Sequence, residues 1–269
     1  MRLSDAANHL AGAGIENARG EAITIFSYLG GISRIEMIGR DPECDSDAVS
    51  AAIARRTARE PLQYIIGEVD FYRESYKVSP DCLIPRSDTE TLVDFAVKNL
   101  PDGARFIDLC TGSGCIAIST LKNTNGTTAV ALDLSRGALA IAKENATRND
   151  VADRISFFEA DALSGRTDGE FYAVLSNPPY VTDAAYSKLA DEIYFEPKMA
   201  LVGTDEDGAG FYRRITELYL DVVERGGFIA FEIGYDQADA LRECAERHGV
   251  KCEIIKDLGG NDRVAVLRK

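Results

Sequence analysis

The tetrapeptide Asn177-Pro178-Pro179-Tyr180 directly follows the apolar run Tyr172-Ala173-Val174-Leu175-Ser176. Two consecutive prolines fix φ and offer no N–H, so the carbonyls at this strand end are held stiffly and stay free to accept hydrogen bonds. Such an array suits an –NH₂ group. The Asn177 side-chain oxygen and the Pro178 carbonyl can each take one N–H, while Tyr180 packs against the flat face of the group. Held this way, the nitrogen lone pair points out of the acceptor plane toward an electrophile. The plainer alternative is an ordinary Pro-Pro turn with a surface tyrosine.

A second constellation is Asp108-Leu109-Cys110-Thr111-Gly112-Ser113-Gly114, where a strand passes through a glycine turn into a helix near Cys115. Glycines there let backbone approach a ligand closely, and a helix N-terminus favours negative charge. Asp133 closes the next strand, 21 residues after Gly112, where a carboxylate can accept from ribose hydroxyls. Together they read as a site for a nucleoside-containing cofactor. Gly112 to Ala117 also satisfies the loose G-x-G-x-x-A dinucleotide fingerprint, and a purely structural glycine turn is possible. Asp161, after the third strand, can meet an adenine edge together with the Ala162 backbone, or can simply cap a helix. Glu232 sits at another strand end, where a structural ion pair is an equal alternative. Of the two histidines, His9 lies in the first helix and His248 at a helix end, and neither is assigned a function.

These residues need a scaffold. From Leu3 to Glu60 apolar residues recur at spacings of three and four (Ile23, Phe26, Leu29; Ala48, Ala52, Ile53), broken at Gly30-Gly31 and Asp41-Pro42, which predicts a small helical bundle. Leu62 to Ile84, with Tyr64-Ile65-Ile66, Phe71-Tyr72 and Tyr76-Lys77-Val78 between turn formers, predicts a hairpin linker. Ser87-Asp88-Thr89-Glu90 has the form of a capping box, which predicts a helix start. Strands are expected at Phe106–Cys110, Thr128–Asp133, Ile155–Glu159, Tyr172–Ser176 and Phe228–Ile233, with helices between them, so a parallel α/β sheet follows. Cys252–Lys256 and Arg263–Leu267 are joined too briefly for a parallel crossover, and the last strand is expected to run antiparallel.

The chain has 30 basic and 44 acidic residues, a net charge of −14, in 269 residues. Residues 1–85 carry 9 and 13 of these, and residues 86–269 carry 21 and 31. No basic module is hidden in the average, which speaks against a protein that mainly grips nucleic acid or anionic membrane. Six scattered cysteines without a CxxC pair, and only two histidines, give no recognisable metal set. Reduced core thiols, no leader-like start and no unbroken apolar run of about 18 residues predict a soluble cytoplasmic protein.

Taken together, these segments resemble the N5-glutamine methyltransferases that modify peptide-chain release factors, on the Rossmann-like scaffold of class I S-adenosylmethionine-dependent methyltransferases. The resemblance spans nearly the whole chain. It lies in Glu60-Pro61-Leu62-Gln63-Tyr64-Ile65-Ile66-Gly67, Leu83-Ile84-Pro85-Arg86-Ser87-Asp88-Thr89-Glu90, Asp108 to Gly114, Asn177 to Tyr180, Glu196-Pro197 with Ala200-Leu201, and Asp257 to Arg263. The N-P-P-Y motif is shared with adenine and guanine amino-methyltransferases; the first two segments are more family-specific.

The resemblance implies an α/β methyltransferase domain of about seven strands over residues 76–269, preceded by a helical substrate-recognition domain over residues 1–75. It implies that Cys110, Thr111, Gly112, Ser113 and Gly114 wrap the methionine part of S-adenosylmethionine, that Asp133 holds its ribose, and that Asp161 and Ala162 flank its adenine. Asn177, Pro178, Pro179 and Tyr180 would bind the glutamine, with Asn177, Pro178 and Tyr180 catalytic, leaving S-adenosylhomocysteine as product. Cys110 stands where the family often has Gly, Ala162 where some members have a large aromatic, with Leu163 a substitute for its packing, and Ser87-Asp88 where Pro-Glu or Pro-Asp is common. Release factors are the implied partner, with no stable nucleic-acid or membrane binding. The competing readings are an amino-methyltransferase of nucleic acid, a dinucleotide-dependent dehydrogenase and a cofactor-binding scaffold without chemistry.

Overall fold

The computed structural model describes every residue except Arg166 and Asp168. The chain divides into two compact units, Met1–Glu68 with Ala190–Phe195, and Val69–Leu189 with Glu196–Lys269.

The first unit is helical, as its spacing predicts: α1 (Leu3–Gly12), α2 (Ala18–Gly30), α3 (Asp47–Thr57) and the short α4 (Leu62–Ile66). Leu3, Leu10, Ile25, Phe26, Val49 and Ile53 are fully or almost fully buried in one core. Ser46 caps α3 by accepting from the Val49 N–H, and Gly31, at φ 67°, ends α2. The Arg56 guanidinium bonds Glu21 at 2.6 Å and Glu192 at 3.2 Å. The structure corrects one expectation here. Tyr64-Ile65-Ile66 is not a strand of the hairpin but most of α4, because Pro61 sets its start and Gly67, at φ 85°, its left-handed end. Three adjacent apolar residues carry no period that could have decided between the two.

The hairpin that follows is β1 (Glu68–Phe71) and β2 (Glu74–Lys77). The second unit then runs α5 (Glu90–Asn99), β3 (Arg105–Leu109), α6 (Cys115–Lys122), β4 (Thr128–Asp133), α7 (Arg136–Arg148), β5 (Ile155–Glu159), β6 (Phe171–Ser176), α8 (Asp183–Tyr186), α9 (Gly210–Tyr219), β7 (Val223–Glu232), α10 (Ala238–Arg247), β8 (Lys251–Lys256) and β9 (Asp262–Arg268). The seven strands of its sheet are ordered β5-β4-β3-β6-β7-β9-β8. The first four pairings are parallel, whereas β9 is antiparallel to both β7 and β8. The last strand thus inserts between its two predecessors, and the expected antiparallel hairpin is present.

Period-two alternation sends side chains to two cores. Phe106, Ala129 and Ala131 face Leu92, Ile116 and Leu121 on one side. Ile107, Leu109, Val130 and Leu132 face Tyr212, Ile215 and Leu241 on the other. A helix does start after Ser87, but the capping box does not form. A single 3₁₀ turn spans Ser87–Thr89, and no side chain caps α5. Glu90 instead accepts from the Tyr72 backbone N–H at 2.8 Å, so the hairpin takes the carboxylate the box would have used.

Candidate functional site

Strands β3, β4, β5 and β6 run parallel, so their carboxyl ends share one edge, the usual place for a ligand in an open α/β sheet. A cavity of about 260 Å³ opens there, lined by Cys110, Gly112, Asp133, Asp161, Ala162, Asn177 and Pro179 among others. Leu134, Met199 and Phe211 supply apolar wall, with Asp81 and Cys82 at one side. The sequence-predicted residues are therefore brought together, but not all reach the cavity. Thr111, Ser113 and Pro178 are buried behind it, Gly114 is the N-cap of α6, and Tyr180 is half-buried beside it. Leu163 packs into the sheet core instead of the cavity, and Leu134 and Phe211 provide the apolar surface beside Ala162.

The glycine loop is held by bonds to its own strand, to the end of β4 and to α7. Thr111 N–H donates to Leu132 O at 2.9 Å, tying the ends of β3 and β4. The Thr111 hydroxyl donates to Asp108 at 2.6 Å, and the Asn145 amide of α7 donates to Ser113 O at 2.9 Å. Burial pushes the Asp108 carboxyl up to about 7. Cys110 adopts φ 59°, a left-handed conformation that a side chain tolerates at a cost of order 1–3 kcal/mol. Burial pushes its thiol up strongly. A Cβ at Gly112 would meet nothing within 4 Å, so this backbone lies open to the cavity, whereas at Gly114 it would meet Ile118 at 2.9 Å and Ala142 at 3.2 Å.

Asp133 accepts from Gly112 N–H with one oxygen and from Ser135 N–H with the other, both at 2.8 Å. Burial raises its carboxyl, against the pull of these N–H groups. Each oxygen keeps a second lone pair. Asp161 is different: it accepts from Leu163 N–H at 2.8 Å and from the Ser164 hydroxyl, which hold its carboxyl below the usual range. Among the described residues no helix lies between Asp161 and β6, so the helix-cap alternative is not what the structure shows; these bonds close a turn at the cavity wall instead.

The Asn177 amide nitrogen donates to Thr89 Oγ1 at 3.4 Å, which leaves its oxygen as the acceptor end. The Tyr180 hydroxyl reaches Glu232 Oε1 at 3.4 Å, and burial pushes the phenol well up. Gln237 holds the same loop from below. Its amide nitrogen donates to Tyr180 O at 3.2 Å and Asp207 O at 3.1 Å, while its oxygen accepts from the Tyr212 hydroxyl and Gly234 N–H, each at 2.9 Å. A Cβ at Gly208 would lie 2.1 Å from Tyr180 O, so that glycine is what allows the two loops to touch. Glu196, almost fully buried, accepts from Ile84 N–H at 3.0 Å and from the Arg86 guanidinium, fixing the Pro197 wall. Among the described residues no guanidinium or ammonium bonds Glu232, so the ion-pair alternative is not seen there; burial pushes its carboxyl up to about 7. Thr89 and Gln237 were not singled out as site residues from sequence, and a hydroxyl or amide so far along the chain gives no local signal.

Residues 88–204 match the family model described as Methyltransferase small domain, and residues 3–67 match the PrmC N-terminal domain. A release factor glutamine methyltransferase of Geobacter sulfurreducens is 36% identical over 95% of this chain and 91% of its own length. One from Thermodesulfovibrio yellowstonii is 38% identical over 93% and 92%. Among solved structures, a ribosomal protein L11 methylase from Lactobacillus delbrueckii subsp. bulgaricus superposes with a TM-score of 0.53 at 16% identity, covering 71% of this chain and 83% of that one, a likeness of fold. No helix among the described residues is long and apolar enough to cross a membrane. With two family models matched over residues 3–67 and 88–204, and relatives aligned over nine-tenths of its length, the chain belongs to the release factor glutamine methyltransferase family.

Proposed function

We propose that this chain transfers a methyl group from S-adenosylmethionine to the side-chain amide nitrogen of the glutamine in the Gly-Gly-Gln loop of a peptide-chain release factor. The observation that carries the reading is the Asn177 side chain, anchored through its nitrogen on Thr89 and left with its oxygen as acceptor at the cavity. The cavity suits the cofactor: Asp133 offers free lone pairs for ribose hydroxyls, Leu134 and Phe211 offer apolar surface for a base, and Gly112 leaves open backbone. S-adenosylmethionine supplies a methyl group on a positively charged sulfur. Cys110 to Gly114 would hold its methionine part and Asp161 with Ala162 its adenine. The Asn177 oxygen and the Pro178 carbonyl would take the two amide N–H groups, turning the nitrogen lone pair out of their plane. Tyr180 would pack on the amide face. Most of the acceleration comes from positioning a poor nucleophile whose lone pair is delocalised into its carbonyl. The leaving proton passes to water.

The helical first unit would recognise the body of the release factor, and the setting would be the cytoplasm, where that factor meets the ribosome. The test is mass spectrometry of the factor after reaction, with and without replacement of its loop Gln by Asn. A gain of about 14 Da, one added methylene, is expected only with Gln. Label in RNA or DNA, or a gain persisting in the Asn variant, would overturn the proposal.

A further inference from the structure

We infer that Tyr235 and Leu258 form a track on which the release-factor chain lies to one side of its modified glutamine, so that they set affinity for the protein substrate; this rests on the proposed amide methylation. Among the described residues five large apolar side chains of the second unit are exposed: Leu134, Phe158, Met199, Tyr235 and Leu258. All lie toward the carboxyl edge of the parallel strands. Leu134 follows β4, Phe158 is next to last in β5, and Met199 lines the cavity. Tyr235 follows β7, and Leu258 lies in the turn after β8, which runs parallel to β7 because β9 is antiparallel to both.

The two sides of that edge are not equivalent. The ends of β3, β4, β5 and β6 wall the cavity, and among the described residues none after Phe211 lines it. Asn177 stands at the border, since Ser176 before it pairs with Phe231 of β7, and from there the sheet continues β7-β9-β8. With the cofactor on one side, a polypeptide that brings its amide to Asn177 has the other side to lie on. Tyr235 and Leu258 are the exposed large apolar residues there, and both are presented alike. Each is the second residue of a four-residue turn closed by a backbone bond of 3.0 Å, from Gln237 N–H to Gly234 O and from Gly260 N–H to Asp257 O. Both turns are braced. Gln237 donates to Tyr180 O at 3.2 Å, tying the first to the amide-binding loop, and Asp257 accepts from Asn261 N–H at 3.0 Å in the second. Arg263 joins the two, donating to Ile233 O at 3.4 Å and to Asp257 at 3.1 Å. Turns held this firmly lose little entropy when a partner covers them. Neighbouring strands lie about 4.8 Å apart, so the end of β6 is about 10–14 Å from the hairpin after β8, the reach of three or four extended residues. Tyr235 is 70% exposed and Leu258 fully so, and covering both takes apolar surface out of water.

The experiment is steady-state methyl transfer to a purified release factor by Tyr235→Ala, Tyr235→Phe and Leu258→Ser, with calorimetric binding of S-adenosylmethionine and sedimentation of each variant. A contact made equally in the ground and transition states acts on KM alone. Tyr235→Ala should raise KM for the factor roughly tenfold and Leu258→Ser roughly fivefold, while Tyr235→Phe stays near wild type. In all three, kcat and cofactor affinity should hold within about twofold. A wild-type KM in either Tyr235→Ala or Leu258→Ser, or a fall in kcat at unchanged KM, would overturn the inference. So would a raised KM that comes with a changed oligomeric state, which would make this face a contact between copies of the chain. Leu258→Ser decides alone if Tyr235→Ala does not fold. A wild-type chain that labels no release factor would instead overturn the proposed function on which the inference rests.

Discussion

The two halves of the site are fastened by different means. The loops after β3, β4 and β5 are held by backbone and near neighbours: Thr111 to Asp108, Ser135 to Asp133, Leu163 to Asp161. The loop after β6 is held by side chains from far along the chain: Thr89, Glu232 and Gln237, separated from their partners by 88, 52 and 57 residues. The first half is tied through the ends of β3, β4 and β5 and through α7, whereas the second draws on the segment before α5, the end of β7 and the turn after it. In the proposed function the first half would hold the cofactor and the second the reacting amide, so only the second would be coupled to distant parts of the fold.

This contrast can be broken at several points. The largest effect is expected for Asn177→Ala, which should reduce methyl transfer by roughly 10²-fold or more while leaving cofactor affinity intact, as single-turnover rates and calorimetry would show. Asp133→Ala should do the reverse, weakening S-adenosylmethionine binding by about 1.5–3 kcal/mol, the range for hydrogen bonds to a charged group. Unchanged affinity would remove Asp133 from the cofactor half. Gln237→Met strips partners from Tyr180 O, Asp207 O, Tyr212 and Gly234; denaturant titration should show a loss of about 1–3 kcal/mol, with kcat falling less than in Asn177→Ala.

The smallest effect concerns pH and stability. Asp108 and Glu232, one in each half, both have carboxyls raised to about 7 in the fold, above the roughly 4 expected in an unfolded chain. The unfolded state therefore releases these protons first, and stability should decline as pH rises from about 4 to about 7. Asp108→Asn or Glu232→Gln should each flatten that decline in thermal melts; a slope unchanged in both would refute the shared burial effect.

The same division explains what could be read from sequence. Strand positions, the glycine turn, Asp133 and the N-P-P-Y motif announce themselves through alternation, glycine spacing and adjacent prolines, all local signals. The antiparallel last strand was legible because the link from Lys256 to Asp262 is short. Local patterns failed where a distant partner decided. Glu90 reads as the end of a capping box until Tyr72 takes its carboxylate, and Tyr64-Ile66 reads as strand until Pro61 and Gly67 frame a helical turn. Thr89 looks like one more polar residue of a helix start. Its contact depends on the end of β6 lying beside it, 88 residues further along the chain, which no local window of sequence contains.

The insertion of β9 between β7 and β8 also governs how the molecule comes into being during synthesis. Of all the strands, β9 is the last to be made, yet it fills an interior slot. A nascent chain that stops anywhere before Asp262 leaves β7 with an unpaired flank and β8 with no partner at all, a sticky edge of the kind that recruits other chains. It also lacks Arg263, and with it the positive charge beside Glu232. The glycine loop and Asp133 would by then already be in place. The interior slot of the sheet is thus filled only once residues 262–268 have been added, so every shorter product carries an open edge that the finished sheet does not.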